Sequence, residues 1–383
     1  MRIAYISTLR SAPWGGSEEL WYQSAGEAIK SDHKLGVFIY DWHDEPKQIS
    51  KLREQGAEIY KRRRNFSISK RIINKVSKNS FPSLNSYKDL VKFNPDIIVV
   101  TDGSTYYTVN DRELSELLLK TFKNRYVIIS QSNTDYHLPV DRDNAIELFE
   151  NACKVFFVAE NNRRLAFHQL AYNLTKTSVI QNPVLLNSFE QRPSNSDSNE
   201  IHCAVVGRFC ISDKGQDILI AMMADESFKS SNIKLHLYGN GSDGEYLKKL
   251  ISFYNVTDKV IIEGFVNDRN LIWDKCQCLL MCSHAEGTPL TVLEAMIAGR
   301  VCIVTNVGGN NEWIVDGKNG FLVSAPNKDL FAAKLQLALN RINEWEALGK
   351  AAHDSAMKKI DTNPGKTLLN NIEYIISKEI KMA

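Results

Sequence analysis

The sequence lacks any run of about 18 apolar residues, the length that a bilayer-spanning helix needs. The apolar stretch at its start, Ile3-Ala4-Tyr5-Ile6, is too short for the core of a secretion signal and predicts a strand instead. Neither a spanning helix nor a signal is therefore indicated, and we expect a cytoplasmic protein.

Paired cysteines are also missing. None of the seven cysteines forms a Cys-x-x-Cys pair, and Cys276 and Cys278 are separated by a single residue. This pattern argues against a zinc site or a disulfide framework and favours buried free thiols. Asp141-Arg142-Asp143 resembles a metal-binding Asp-x-Asp motif, but it follows Pro139, where acidic helix caps are common. We expect no metal.

A strong excess of charge of either sign is absent, since 47 Lys+Arg face 45 Asp+Glu and the formal net charge is +2. This balance excludes a global electrostatic attraction to nucleic acid. With 43% hydrophobic and 24% charged residues, 20 glycines and 10 prolines, the composition is globular. A chain of 383 residues is long enough for two domains.

Short apolar runs alternate with helical patterns along the whole chain. Continuous runs such as Ile97–Val100 and Val301–Val304 are typical of parallel strands that helices cover on both faces. The predicted strands are Ile3–Ser7, Leu35–Tyr40, Asp96–Val100, Tyr126–Ser130, Lys154–Val158, His202–Val206, Lys234–Tyr238, Lys259–Ile262, Cys278–Cys282 and Val301–Thr305. The composition of the polar segment Gln191–Glu200 predicts a linker. The sequence thus predicts an α/β protein of two doubly wound domains, with a ligand cleft at the strand carboxyl ends.

Charged and glycine-rich turns follow several predicted strands. Gly15-Gly16, after the first, would let a backbone approach a ligand closely, or would form a tight turn capped by Ser17. Arg208 and Lys214, six positions apart, could hold a diphosphate from two sides. Gly239–Gly244 spells Gly-x-Gly-x-x-Gly, which makes a nicotinamide-dependent oxidoreductase a rival interpretation. That fingerprint belongs to the first strand of a nucleotide domain, however, and His202–Val206 comes first here.

The segment Glu286–Glu294 carries the most information. Glu286 falls on a loop and Glu294 on a new helix, and Pro289 suits the first helical turn. We expect the free amides of Thr288, Leu290 and Thr291 to face an anion. The two carboxylates could then accept hydrogen bonds from sugar hydroxyls.

Taken together, these motifs resemble the retaining glycosyltransferases of family 4, glycosyl transferases group 1, which have the GT-B fold. The resemblance covers residues 200–325 well and the first domain only in outline. The matching motifs are Gly207-Arg208, Lys214-Gly215, Gly239-x-Gly241, Gly264-Phe265-Val266, Glu286-Gly287-x-Pro289-Leu290, Glu294-Ala295-Met296, Gly299 and Gly308-Gly309. The resemblance implies two Rossmann-like domains facing across a cleft, an acceptor domain at 1–190 and a donor domain at 191–364. It also implies that a helix near 365–383 packs back on the first.

The resemblance also assigns roles to residues. Arg208 and Lys214 would hold the diphosphate of a nucleotide sugar and stabilise the departing phosphate, and with Glu286, which would bind the donor sugar, they form the predicted catalytic set. Glu294 would bind the ribose, and the backbone near Gly264–Val266 the base. The predicted donor-binding residues are Gly15, Gly16, Gly239, Gly241, Gly264, Phe265, Val266, Gly287, Thr288, Pro289, Leu290 and Glu294.

The chain departs from the family at two places. The family carries a His after the fifth strand of the first domain, where this chain has Gln131-Ser132-Asn133, with His137 further on. Gln131, Ser132 or His137 could take its place. The candidate acceptor or sugar site therefore comprises Asp102, Gln131, Ser132, Asn133 and His137. The usual aromatic residue after the Glu-Gly step is Thr288 here.

The resemblance predicts the transfer of a sugar, with retention, from a UDP- or GDP-linked donor to a hydroxyl of a lipid-linked or glycan acceptor. Cell-surface polysaccharide or glycolipid synthesis is the expected setting, and no cofactor or metal is required. The alternatives are a nucleotide-sugar epimerase of the same fold and a catalytically silent nucleotide-sugar-binding protein.

One segment, Lys61–Lys78, holds eight basic residues in a stretch with no acidic residue from Ile59 to Leu84. Interleaved apolar residues make it a basic amphipathic segment, which can lie on an anionic membrane surface. It would then place the protein peripherally on the inner face of the membrane. The alternative is a solvated helix packed on the first domain. Nucleic acid is not an expected partner.

Overall fold

The computed structural model describes residues 1–10, 12–63, 86–134, 138–192 and 200–382. The chain forms two compact units, the first of Met1–Pro183 with Asp361–Ala383 and the second of Val184–Ile360. The sequence placed the first boundary after residue 190. It falls earlier because Val184, Leu186 and Phe189 pack against the core of the second unit.

The start of the predicted linker also belongs to the second unit. The backbone N–H of Arg192 donates to the carbonyl of Ala298 at 3.2 Å, and its side chain pairs with Asp274. Residues 193–199 lie outside the described residues.

The first unit contains a seven-stranded parallel sheet in the order β3-β2-β1-β4-β5-β6-β7. Its strands are β1 (Arg2–Ser7), β2 (Lys34–Tyr40), β3 (Glu58–Arg62), β4 (Ile97–Asp102), β5 (Tyr126–Ser130), β6 (Lys154–Phe157) and β7 (Thr177–Val179). Its described helices are α1 (Glu19–Lys30), α2 (Lys47–Glu54), α3 (Lys88–Phe93), α4 (Tyr107–Asn110), α5 (Arg112–Lys120), α6 (Arg142–Glu150), α7 (Glu160–Leu170) and, from the end of the chain, α17 (Pro364–Met382). Alternate β1 residues enter two separate cores, so both faces of the sheet are covered.

The second unit contains a six-stranded parallel sheet in the order β10-β9-β8-β11-β12-β13. Its strands are β8 (Ile201–Val206), β9 (Ile233–Tyr238), β10 (Val260–Gly264), β11 (Cys278–Met281), β12 (Val301–Thr305) and β13 (Phe321–Val323). Its helices are α8 (Ile211–Lys214), α9 (Gln216–Met223), α10 (Glu226–Lys229), α11 (Gly244–Phe253), α12 (Asn270–Lys275), α13 (Leu290–Ile297), α14 (Asn310–Trp313), α15 (Lys328–Leu339) and α16 (Trp345–Met357). The two Rossmann-like units confirm the predicted fold class.

The strand order of each sheet reverses at one point, between β1 and β4 in the first unit and between β8 and β11 in the second. In open α/β sheets, ligands bind outside the strand carboxyl ends at such a switch point. The segments that follow β8 and β11 are therefore where the second unit is expected to bind a ligand.

Three strands were absent from the sequence-based prediction, namely β3, β7 and β13. All three lie at sheet edges. Most residues of β3 and β7 are only half-buried, and β13 is three residues long. Such strands lack the continuous apolar run that identifies a central parallel strand.

The first two residues of the predicted membrane-binding segment, Lys61 and Arg62, lie in strand β3, and for them the prediction is wrong. Arg62 is buried, its guanidinium donates to the hydroxyl of Tyr87 at 2.6 Å, and it lies 4.4 Å from the centre of the Tyr40 ring. Lys61 pairs with Glu45 at 3.1 Å. These two side chains therefore stabilise the first unit through contacts within it. Residues 64–85, which contain the rest of the predicted segment beyond Arg63, lie outside the described residues. None of the helices described combines the length and the apolar character that crossing a bilayer requires.

The last helix, α17, belongs to the first unit and packs against α1. Leu368, Leu369 and Ile372 are fully buried in the same core as Leu20 and Trp21. The apolar face of α17 thus completes one of the two cores of the first unit.

We expect Leu369→Ala to lower the free energy of unfolding by about 2–5 kcal/mol, because it leaves a cavity in that core. Tyr374→Ala on the same helix is the control, since Tyr374 is 57% exposed. Urea unfolding followed by circular dichroism measures both variants. Equal stability of the two variants would contradict the placement of α17.

Candidate functional site

Two predicted catalytic residues meet at the switch point of the second sheet. Lys214 lies on α8, which follows β8, and Glu286 lies in the loop after the neighbouring strand β11. Lys214 Nζ is 2.6 Å from Glu286 Oε1, and the Ser283 hydroxyl donates to the same oxygen at 2.7 Å. The pair is mostly buried, with exposed side-chain fractions of 24% for Lys214 and 9% for Glu286. The sequence analysis did not identify Ser283 as a partner of Glu286.

The third predicted catalytic residue, Arg208, lies in the loop that connects β8 to α8. Its Nη2 is 2.7 Å from Asp213 Oδ2, and both side chains are partly exposed. The side chain of Gln216 donates to the Arg208 carbonyl at 2.8 Å and so holds the backbone of the loop. Sequence reasoning missed Asp213, although it directly precedes Lys214.

Backbone contacts hold the loop after β11 against α8 and against the loop after β12. The N–H of His284 donates to the carbonyl of Asp213 at 2.8 Å. Gly308, in the loop after β12, has a φ of +53°, and a Cβ there would lie 2.2 Å from the carbonyl oxygen of Glu286. The position of Glu286 therefore depends on a glycine at 308.

The glycines of the Gly-x-Gly-x-x-Gly sequence have a packing role. A Cβ at Gly239 would lie 1.9 Å from the Gly207 carbonyl oxygen, and one at Gly241 would lie 2.3 Å from that of Phe209. The turn after β9 thus supports the loop that carries Arg208. This turn also follows β9, which does not border the switch point, whereas a dinucleotide fingerprint is expected after a strand at the switch point. This arrangement argues against the oxidoreductase interpretation.

The second predicted carboxylate, Glu294, is buried on α13 with an exposed fraction of 3%. Its Oε2 has no hydrogen-bond partner among the described residues. Burial raises the pKa of Glu294 to about 7, an effect that the charge of Arg269 partly offsets. The side chain is therefore a buried acceptor that a ligand hydroxyl could satisfy.

The predicted row of free amides at the start of α13 is wrong in one respect. The N–H of Leu290 donates to the carbonyl of Thr288 at 2.9 Å, so it is not available to an anion. Pro289 has no N–H to offer. The carbonyl of Gly287 accepts from the N–H of Gly309 at 3.1 Å, which ties this loop to the one after β12.

The predicted base-binding segment lies at the end of β10. Gly264 has a φ of +80°, and its carbonyl accepts from the N–H of Gly239 at 2.8 Å. The side chain of Phe265 is 58% exposed, while Val266 packs against one core of the unit. An exposed ring beside a glycine suits stacking on a base.

In the first unit, Gly15 and Gly16 follow β1. Gly15 is extended, with room for a Cβ, and Gly16 begins a short 3₁₀ helix that ends at Glu18. The carboxyl of Glu18 is buried and accepts from Trp21 Nε1 at 2.9 Å, and burial raises its pKa to about 7. Sequence reasoning missed Glu18 as a buried acid.

Four of the five candidate acceptor-site residues lie at the ends of β4 and β5. Asp102 is fully buried and accepts from Thr108 Oγ1 at 2.5 Å, so it has a structural role. Ser132 donates to the carbonyl of Gly103, and Asn133 donates to the side chain of Gln169. The fourth, Gln131, accepts from the side chain of Asn182 at 2.7 Å, and its buried Nε2 has no partner among the described residues. The fifth, His137, lies outside the described residues.

The Asp141-Arg142-Asp143 sequence begins α6. The carboxylate of Asp141 accepts from the N–H of Asn144 at 3.0 Å and caps the helix. Across the part of the chain that the structure describes, no three His, Cys, Asp or Glu side chains converge to hold a metal ion.

Most of the second unit is similar to one family of known proteins. Residues 187–355 match the model for glycosyl transferases group 1. A poly(ribitol-phosphate) alpha-N-acetylglucosaminyltransferase of Staphylococcus aureus is 29% identical over 148 residues, which are 38% of this chain and 30% of that protein. An Escherichia coli UDP-Gal:alpha-D-GlcNAc-diphosphoundecaprenol alpha-1,3-galactosyltransferase is 26% identical over 201 residues, 49% of this chain and 51% of that protein. The chain thus spans about a third to a half of the length of these relatives.

The fold is similar to a solved structure over its whole length. The Anabaena protein HepE in complex with UDP superposes with a TM-score of 0.72 at 18% identity, covering 99% of this chain and 100% of that one. At this identity the likeness shows the GT-B fold alone. The two units therefore have the GT-B fold, and residues 187–355 are similar to glycosyl transferases group 1.

The raised pKa of Glu294 predicts a pH-dependent stability. Between about pH 4, where the unfolded carboxyl titrates, and pH 7, the folded state holds the proton more tightly, so stability falls as the pH rises through this window. Glu294→Gln, which cannot ionise, should therefore stabilise the protein at pH 8 and much less at pH 5.

Thermal unfolding at both pH values measures the effect, with Glu346→Gln on the exposed face of α16 as the control. If the difference in thermal midpoint between Glu294→Gln and the wild type is the same at pH 5 and pH 8, this account is wrong.

Proposed function

We propose that the chain is a glycosyltransferase, which moves a sugar from a nucleoside-diphosphate donor to a hydroxyl of an acceptor. The observation that carries this proposal is the contact of Lys214 with Glu286 at 2.6 Å, at the switch point of the second sheet. A cation for phosphate and a carboxylate for sugar hydroxyls lie side by side where a GT-B domain is expected to hold its donor. The group 1 domain at 187–355 supports the same conclusion.

Arg208 and Lys214 bind the diphosphate in this proposal. When the sugar leaves, negative charge develops on the departing phosphate, and two preorganised cations stabilise that charge. Lys214 exchanges its bond with Glu286 for one with the phosphate. Glu286 then turns to the hydroxyls of the donor sugar, while Ser283 continues to hold its position.

Glu294 accepts a hydrogen bond from the ribose in this proposal, because its buried Oε2 otherwise lacks a donor. The backbone of Gly264–Val266 and the exposed ring of Phe265 meet the base. Gly287 and Thr288 lie next to Glu286 and shape the sugar pocket.

We further propose a UDP-linked donor as the first to test, because the E. coli relative is named for UDP-Gal and HepE is solved with UDP. By the resemblance to family 4, the transfer retains the anomeric configuration and needs no metal or cofactor. The names of the relatives include a ribitol-phosphate polymer and a diphosphoundecaprenol-linked sugar. They favour a glycan or lipid-linked acceptor in cell-surface polysaccharide or glycolipid synthesis. Contact of the 63–78 segment with an anionic membrane stays a prediction.

The first test of this function is binding. UDP, GDP, ADP and CMP, each with a matching nucleotide sugar, are screened for a rise in the thermal midpoint of the wild type. We expect UDP and a UDP-sugar to raise the thermal midpoint of the wild type. Arg208→Ala and Lys214→Ala should each lower the affinity for these ligands by more than tenfold and so reduce the rise. Each loses about 1.5–3 kcal/mol of charge-assisted hydrogen bonding.

The control is Lys328→Ala, which removes a lysine paired with Asp225 on the same unit. Unchanged affinity in both site variants would reject the site. Turnover of the donor into an isomer without any acceptor would support the epimerase instead.

The two carboxylates should give different phenotypes. Glu286→Gln should lower turnover and leave the affinity for free UDP nearly intact, because Glu286 meets the sugar. Glu294→Gln should weaken the binding of UDP itself. Calorimetric titration of UDP together with donor-consumption kinetics separates the two, and reversed phenotypes would show that the roles are exchanged.

A further inference from the structure

We propose that Asp213 is a counter-ion built into the donor site, which competes with the diphosphate for Arg208 and thereby promotes release of the nucleoside diphosphate product. This inference rests on the proposed function, since it requires Arg208 to bind the diphosphate. It concerns a residue that neither the sequence motifs nor the family assignment singles out.

The ion pair between Arg208 and Asp213 can open at low cost. Arg208 Nη2 and Asp213 Oδ2 are 2.7 Å apart, and the side chains are 47% and 33% exposed. Ion pairs of this exposure contribute little free energy, because water screens them. A bound phosphate can therefore replace the Asp213 carboxylate on the guanidinium.

Both ends of this pair rest on a fixed backbone. The Arg208 carbonyl accepts from the side chain of Gln216, which is buried. The Asp213 carbonyl accepts from the N–H of His284 in the loop that carries Glu286. The exchange of partners thus needs only side-chain rotation, and the carboxylate stays beside the bound phosphate after it has been displaced.

The charges of the site explain why the Asp213 carboxylate would favour release of the nucleoside diphosphate. The cations Arg208 and Lys214 are balanced by Asp213 and Glu286, so these four side chains together carry almost no net charge. A free nucleoside diphosphate has a terminal phosphate that loses a second proton near pH 6, and it then carries one more negative charge than the nucleotide sugar. A carboxylate next to Arg208 therefore repels the product more than it repels the donor.

The test is Asp213→Asn, which removes the charge and keeps the backbone carbonyl that holds His284. Calorimetric titration at pH 8 measures the Kd of UDP and of UDP-glucose. We expect the Kd of UDP to fall about five- to twentyfold and that of UDP-glucose about two- to fivefold, with both changes shrinking at high salt. Asp213→Glu should restore both Kd values.

The matched control is Asp225→Asn, because Asp225 pairs with Lys328 at 2.8 Å with similar exposure on the same unit. It should change neither Kd.

A higher Kd for both ligands in Asp213→Asn would overturn the proposal, since Asp213 would then orient Arg208 for binding. Equal changes for UDP and UDP-glucose would overturn the role in product release. If the nucleotide screen selects GDP, then GDP and GDP-mannose replace the two ligands. Failure of every nucleotide to bind the wild type would reject the proposed function itself, and this inference with it.

Discussion

The ion pair between Lys214 and Glu286 is the interaction on which the candidate site depends. Two charges in a mostly buried position are tolerated only when each has a partner, because an unpaired buried charge is costly. The pair also joins α8, which follows β8, to the loop after β11, and the reversal of strand order places both at the same edge of the sheet. The close backbone contact at Gly308 keeps the carboxylate in that place.

Buried carboxyls elsewhere show how a structural acid differs from a functional one. Asp102 and Glu294 are both buried, and burial raises the pKa of each to about 7. Asp102 receives hydrogen bonds from Thr8 and Thr108, which fully explain its presence in the first unit. Glu294 has an oxygen with no such donor among the described residues. A buried acceptor without a donor lowers stability, and the ribose contact proposed for Glu294 would supply the missing hydrogen bond.

Much of the fold and part of the site could be predicted from the sequence. Central strands such as β5 and β12 were predicted at their observed bounds, because a strand buried on both faces is a continuous apolar run. The half-buried edge strand β3 carries no such signal, and Arg62 was taken for a surface residue although it is buried against Tyr40 and Tyr87. Asp213 could not be identified from spacing, because its contact with Arg208 arises only when the turn before α8 brings the two side chains together.

The most direct test of the central claim is hydrogen–deuterium exchange of the wild type with and without UDP. If the diphosphate is held at the switch point, UDP should slow exchange in the loops 207–215 and 283–290 and leave α15, on a different part of the second unit, unchanged. Protection confined to other segments, with these two loops unaffected at saturating UDP, would contradict the account.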